Sequence, residues 1–148
     1  MYQTILVPSD FSECGETAWN HAVQLAKVHN SRIVVLYVVE PVMSHYGLVG
    51  LIPGVKELEE QHDIASRLKL KELVDHAEEQ GLTVEGKILT GKPSRCVLDA
   101  AKDAGADLII MGTHGRSGLA HDNIGSTAER VVQKSGVPVL VVHPEHCD

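Results

Sequence analysis

Long apolar runs are missing from this chain. The longest, Ile33–Val39, covers seven residues, against the roughly 20 that a membrane-spanning helix needs, so no helical membrane span is expected. Positive charge is also in short supply: 13 Lys and Arg stand against 20 Asp and Glu, a net charge of −7. Nucleic acid and anionic membrane surfaces require a basic face. Neither is therefore expected as a main partner, although a local basic pocket for phosphates remains compatible with the total. Cysteine is sparse and odd in number, with Cys14, Cys96 and Cys147 at no framework spacing. That pattern implies free thiols in a reducing compartment rather than a disulfide scaffold. Met1–Thr4 contains no charged segment leading into an apolar stretch, so no signal peptide is expected and the reading is cytoplasmic. At 148 residues the chain reads as a single domain spanning 1–148. A chain of that size buries roughly two-thirds of its unfolded surface, enough to fold without a metal or a disulfide.

What is present alternates between two patterns. β-branched runs at Thr4–Val7, Arg32–Val39, Thr83–Leu89, Asp107–Met111 and Val137–His143 read as strands. Between them apolar residues recur at helical spacing: Trp19, Ala22, Val23 and Ala26; Leu70, Leu73, Val74 and Ala77; Val97, Ala100, Ala101 and Ala104; then Ala128, Val131 and Val132. Gly81, Gly105 and Gly136 follow three of these helices, where a left-handed residue closes the last turn. The second strand is apolar almost throughout, as befits a parallel strand with helices over both faces. The pattern predicts an α/β fold: one open, doubly wound, five-stranded parallel sheet with helices on both faces. The last strand is short and apolar, an edge that invites pairing with a second copy. Glu40–Val55, with two prolines and three glycines, is the one long irregular connection.

In such sheets ligands bind beyond the carboxyl ends of the strands, where strand order reverses. After the first strand comes Pro8-Ser9-Asp10-Phe11-Ser12-Glu13. After the fourth comes Gly112-Thr113-His114-Gly115-Arg116-Ser117-Gly118, a loop that ends at Gly125-Ser126-Thr127 as the last helix begins. Closely spaced glycines let backbone N–H groups reach an anion, and the helix start offers unpaired N–H groups and a positive dipole end. Ser126 and Thr127 add hydroxyls, His114 and Arg116 add charge, and Asp10 offers a carboxylate to ribose hydroxyls. The plainer alternative is capping: Ser126 with Glu129, and Asp10 with Glu13, both match a capping box. Gly86 to Lys92 imitates a phosphate-binding Walker loop, but Pro93 stands where the metal-binding hydroxyl belongs and suits the first turn of a helix. The dinucleotide fingerprint also fails, because the glycines follow the fourth strand rather than the first. Nine histidines tempt a metal reading, yet His21, His29, His62 and His76 have polar neighbours, and the tail group His143, His146 and Cys147 lacks further ligands. No metal site is expected.

Gly112, Gly115, Gly125 and Ser126 fit, without spacing error, the glycine fingerprint of the ATP-binding branch of the universal stress proteins. Ile5–Glu13 and Val137–Val142 match that family's two ends, so the chain resembles it over nearly its whole length. The resemblance implies an adenine nucleotide alpha hydrolase-like sheet holding ATP between the first and fourth strands, with ADP and AMP as alternative occupants and Mg or Mn carried by the nucleotide. It further implies a homodimer through Val137–Val142 and a regulatory protein partner of unknown identity. Carried over, Pro8, Ser9 and Asp10 would contact adenosine, Val38 or Val39 would meet adenine through the backbone, and Met111 and Gly112 would wall the ribose. Thr113, His114, Gly115, Arg116, Ser117 and Gly118, with Gly125, Ser126, Thr127 and Ala128, would surround the phosphates. Two positions depart from the family pattern: Ser9 stands where many members have threonine, and His121-Asp122-Asn123 occupies a stretch that is often more apolar. The expected role is an ATP-dependent switch in a stress response. An ATP-using phosphotransfer or adenylyl-transfer enzyme and a nucleotide-free dimeric scaffold are the alternatives. Phosphoryl transfer needs metal ligands and a group that positions the nucleophile, and only Asp10, Asp122 and Glu129 are acidic in the loop regions. At most slow ATP hydrolysis is expected.

Overall fold

The computed structural model describes residues 1–41, 54–113 and 124–143. Strands β1 (Thr4–Pro8), β2 (Arg32–Val39), β3 (Thr83–Thr90), β4 (Leu108–Gly112) and β5 (Val139–Val142) alternate with helices α1 (Glu13–His29), α2 (Val55–Glu79), α3 (Pro93–Ala104) and α4 (Ser126–Lys134). The strands form one parallel sheet of order β3-β2-β1-β4-β5. This is the predicted doubly wound α/β architecture.

Alternation along each strand divides the core in two. Ile5, Val7, Ile33, Val35, Leu108 and Ile110 face α1 and α2. Leu6, Val34, Leu36, Ile109 and Met111 face α3 and α4. Ile33 to Leu36 are wholly buried, which explains why β2 reads as continuous apolar sequence instead of an alternating one. The expected helix stripes hold at Ala22, Ala26, Leu70, Ala77, Val97, Ala100, Ala101, Ala128 and Val131, all buried. Val132 does not belong to its stripe and is exposed.

The buried face of α1 is made of small residues: Cys14, Gly15, Ala18, Ala22 and Ala26. The helix therefore lies close on the sheet, and the approach is tightest at the end of β4. A Cβ on Gly112 would sit 2.8 Å from the Cβ of Cys14 and 3.0 Å from its carbonyl oxygen. Gly112, the first residue of the glycine fingerprint, is thus required by packing whatever else it does.

Several boundaries differ from the sequence reading. Asp107 precedes β4, and its carboxylate accepts the N–H of Gln3 (2.8 Å) and of Thr4 (3.1 Å), pinning the start of β1 to the strand beside it. Gly105 and Gly81 are left-handed, at φ 64° and 84°, as expected past α3 and α2. Gly136 is not. The end of α4 is closed by Ser135 at φ −68°, whose hydroxyl donates to the Val137 carbonyl and accepts the Val137 N–H. β5 starts at Val139 rather than Val137 because that turn occupies the two residues before Pro138. Thr83–Thr90 is regular strand and Pro93 opens α3, so the Gly86–Lys92 segment is no phosphate loop. Of the irregular connection Glu40–Val55, residues 42–53 lie outside the described residues.

Cys14 and Cys96 are both buried. Burial, and then the charge of Asp99, pushes the Cys96 thiol up from its ordinary value, which keeps it protonated and unreactive at neutral pH. Cys147 lies outside the described residues. Among the described residues no helix is long and apolar enough to cross a membrane.

Gly112→Ala should lower stability by about 1–3 kcal/mol, the usual cost of overpacking a core contact. Gly136→Ala, at a position with nothing within 4 Å of the added Cβ, should change it little. Chemical denaturation of the two variants beside the parent checks the pair.

Candidate functional site at the divergence of β1 and β4

Strand order turns outward in both directions from β1 and β4. Their connections leave on opposite faces of the sheet and open a crevice between the carboxyl ends. Pairing between the two strands stops at Leu6↔Ile109, although β1 continues to Pro8 and β4 to Gly112.

The β1 side of the crevice is a tight turn that organises two polar side chains. The Ser9 N–H donates to the Leu36 carbonyl (2.8 Å), the last backbone tie to β2. The Ser9 hydroxyl oxygen accepts the Phe11 N–H at 3.2 Å, so its own hydrogen remains directed elsewhere. Asp10 Oδ1 accepts the Ser12 N–H at 3.0 Å. Ser12 caps α1, accepting the Gly15 N–H at 3.2 Å through its hydroxyl. The cap of α1 is thus Ser12 and not Asp10, whose carboxylate instead orders the turn before the helix. A Cβ on Gly15 would lie 3.2 Å from Ser9 Oγ and 3.3 Å from Asp10 Oδ1, so the bare backbone of α1 is the floor under both side chains.

The turn depends on an unusual backbone. Phe11 has φ 61°, a left-handed conformation that costs an L-residue of its bulk about 1–2 kcal/mol. Its ring lies 5.6 Å from that of Tyr37 on β2, with Lys69 Nζ of α2 5.9 Å above it. An aromatic pair of this kind contributes about 0.5–1.5 kcal/mol and an exposed cation over a ring about 0.5–1 kcal/mol. Together these match the cost of the strained backbone.

On the β4 side, Thr113 donates its N–H to the Val142 carbonyl (3.0 Å), and its carbonyl accepts the Gly125 N–H (2.6 Å). Thr113 Oγ1 also shares a hydrogen bond of 3.0 Å with His143 Nδ1. These contacts set the start of α4 at the end of β4. The N-cap of α4 is Gly125, which has no side chain to offer. Ser126 is the first helical residue, so the expected capping box with Glu129 is absent; Glu129 instead lies 3.5 Å from the Gln133 amide. The N–H groups of Ser126, Thr127 and Ala128 accordingly have no acceptor among the described residues, and they carry the positive end of the helix dipole. Gly125 has φ −61° and ψ 157°, a conformation open to any residue, so backbone strain does not explain the glycine.

The third wall is the end of β2. Leu36 turns its carbonyl toward β1, where Ser9 uses it. Val38, two residues on, points its N–H and carbonyl the same way, but β1 has ended. Val39 points the other way, and its carbonyl accepts the Gly91 N–H at 2.9 Å. Of the two valines, Val38 alone presents backbone groups to the crevice.

The structure therefore brings Pro8, Ser9, Asp10, Val38, Gly112, Thr113, Gly125, Ser126 and Thr127 around one opening. It turns two expected side chains away: Met111 and Ala128 are packed in the core under α3 and α4, so neither side chain walls the crevice. His114, Gly115, Arg116, Ser117, Gly118 and Asp122 lie outside the described residues. Sequence reasoning missed Ser12, because Asp10 and Glu13 matched the capping box more obviously. It also missed Phe11, since nothing in a phenylalanine signals positive φ. Among the described residues no group of three or more His, Cys, Asp or Glu side chains could hold a metal.

Residues 1–143 match the family model described as Universal stress protein family. Universal stress protein MJ0577 of Methanocaldococcus jannaschii is 33% identical, covering 96% of this chain and 95% of its own. The solved structure of MJ0577 superposes with a TM-score of 0.82 at 31% identity over 99% of each chain. Universal stress protein UspA from Lactobacillus plantarum also gives 0.82, at 26% identity over 95% of this chain and 97% of its own. A universal stress protein in complex with cAMP gives 0.68 at 25% identity over 96% and 97%. Sequence, fold and the divergence of β1 from β4 agree: the chain belongs to the universal stress protein family.

Proposed function

We propose that the chain binds an adenine nucleotide, ATP first among them, in the β1/β4 crevice, and acts as a homodimeric, nucleotide-dependent regulator in a stress response. The observation that carries the reading is the start of α4. Among the described residues the three first-turn N–H groups have no acceptor behind a glycine cap, in the place where a doubly wound sheet receives phosphates. The Ser126 and Thr127 hydroxyls add donors there, and Ala128 contributes only its N–H. Gly115 and Arg116 would complete the phosphate shell, with a Mg or Mn ion carried by the nucleotide itself. Across the crevice Ser9 keeps a hydroxyl hydrogen to donate and Asp10 a carboxylate to accept from ribose. The relative in complex with cAMP supports an adenine nucleotide as the ligand class.

Val38 gives the base its selectivity. Its N–H and carbonyl form a fixed donor and acceptor, which match adenine's ring nitrogen and amino group and oppose the reversed pattern of guanine. Catalysis has little to work with in the described residues: Glu129 lies beside Gln133, and Asp10 orders the β1 turn. Asp122, on which an ATP-using enzyme would depend, lies outside them.

Calorimetry should show ATP binding at least about tenfold tighter than GTP, a difference of about 1.4 kcal/mol. Gly125→Val should keep the fold, because φ −61° and ψ 157° suit a β-branched residue, yet lose ATP binding as the side chain enters the approach to the α4 N-terminus. No heat from the parent with millimolar ATP would overturn the reading.

The dimer is proposed through β5. Among the described residues this strand pairs with β4 alone, on one side, and presents Leu140 38% exposed along an uncharged edge, the kind of surface that pairs with another strand. Light scattering should show dimers for the parent and monomers for Leu140→Lys. Unchanged dimers in that variant would move the contact elsewhere.

A further inference from the structure

We infer that Phe11 is a positioning residue for ribose recognition, its ring held by Tyr37 and Lys69 so that the strained turn aims Asp10 into the crevice beside Ser9. The inference rests on the nucleotide reading above and adds a determinant from outside the glycine fingerprint.

Two consecutive N–H groups, those of Phe11 and Ser12, reach back to the side chains of Ser9 (3.2 Å) and Asp10 (3.0 Å). The bond to Asp10 spans residue 11 and depends on the chain reversing there, through the left-handed φ of 61°; the bond to Ser9 fixes the N–H from which that reversal starts. Glycine would take that conformation freely. A phenylalanine that takes it needs a compensation, and the ring has one in Tyr37 at 5.6 Å and Lys69 at 5.9 Å. Non-glycine residues in strained backbone persist where surrounding structure over-determines them, commonly beside functional groups. Here the surroundings are β2, which carries Tyr37 and also accepts the Ser9 N–H at Leu36, and α2, which carries Lys69. With the Ser9 N–H already held by the Leu36 carbonyl, the ring is a second tie of the turn to the body of the sheet, and without it the turn would relax and the Asp10 carboxylate would lose its fixed aim.

The test separates ring from backbone. Phe11→Ala removes the anchor and keeps the strain; Phe11→Gly removes both. Both variants should bind ATP on the order of tenfold more weakly, as loosened positioning predicts, and the ratio of ATP affinity to 2′,3′-dideoxy-ATP affinity should fall toward one. Loss of fold stability alone would not move that ratio in protein shown to be folded by circular dichroism. Phe11→Tyr should restore both values. Lys69→Gln, at an exposed helix position that does not threaten the fold, should weaken ATP binding by about two- to fivefold. A Phe11→Gly protein with parent affinity and parent discrimination would overturn the inference, because the backbone shape alone would then suffice. Amide hydrogen exchange at residues 11 and 12 of the nucleotide-free protein gives a second readout. It should quicken by at least about tenfold in both Phe11→Ala and Phe11→Gly, as local opening becomes easier, and unchanged exchange would also overturn the inference. A parent that binds no ATP, while the variants still exchange faster, would remove the nucleotide reading and leave Phe11 as the anchor of the turn.

Discussion

Along α1 the fully buried side chains are no larger than a cysteine, and at the end of β4 even a methyl group has no room: the place of a Cβ on Gly112 is 2.8 Å from that of Cys14. This contact sets the depth of α1, and much else follows from that depth. The helix begins where Ser12 can cap it. Its first turn runs directly beneath Ser9 and Asp10, with Gly15 leaving just enough space for both. A bulkier seam would lift α1, and the turn that precedes it would rise out of the crevice. The small residues are therefore as much a part of the site as the polar ones they support.

The crevice itself is a matter of where pairing stops. Most backbone groups at the carboxyl edge of the sheet are already engaged: Leu36 with Ser9, Val39 with Gly91, Thr113 with Val142 and Gly125. Among the described residues, those left over at the crevice are the β1-facing groups of Val38 and the first three N–H groups of α4, while the first turn of α3, beyond β3, also lacks a side-chain cap. Polar backbone without a partner is uncommon in folded proteins. At the crevice such groups set a fixed pattern of donors and acceptors before any ligand arrives.

The strand–helix alternation was legible because β2 is apolar throughout and the helices carry clear stripes, and the location of the crevice followed from the topology alone. The roles of individual residues were less legible. Gly112 matched a ligand fingerprint for spacing reasons, while its strict requirement is contact with Cys14. Asp107 looked like the first residue of a strand, and only three-dimensional proximity to Gln3 and Thr4, more than a hundred residues away, reveals it as a clamp. Asp10 and Ser12 are both good capping residues, and sequence spacing favoured the wrong one. Phe11 carried no signal at all, because the groups its ring meets, Tyr37 and Lys69, are not near it in sequence.

The two rims of the sheet are chemically unlike. β3 presents Glu85, exposed and bridged to Arg32 at 2.9 Å, with Lys87 two residues further on; β5 is Val-Leu-Val-Val. Charge on a rim opposes strand addition there. A sheet that was adhesive on both sides could add copies head to tail and grow into an open filament, whereas one with a single adhesive rim can only meet that same rim on another copy, about a twofold axis. Association then exhausts its own surface. The charges on β3, distant from the crevice, thus make any assembly built on β5 finite.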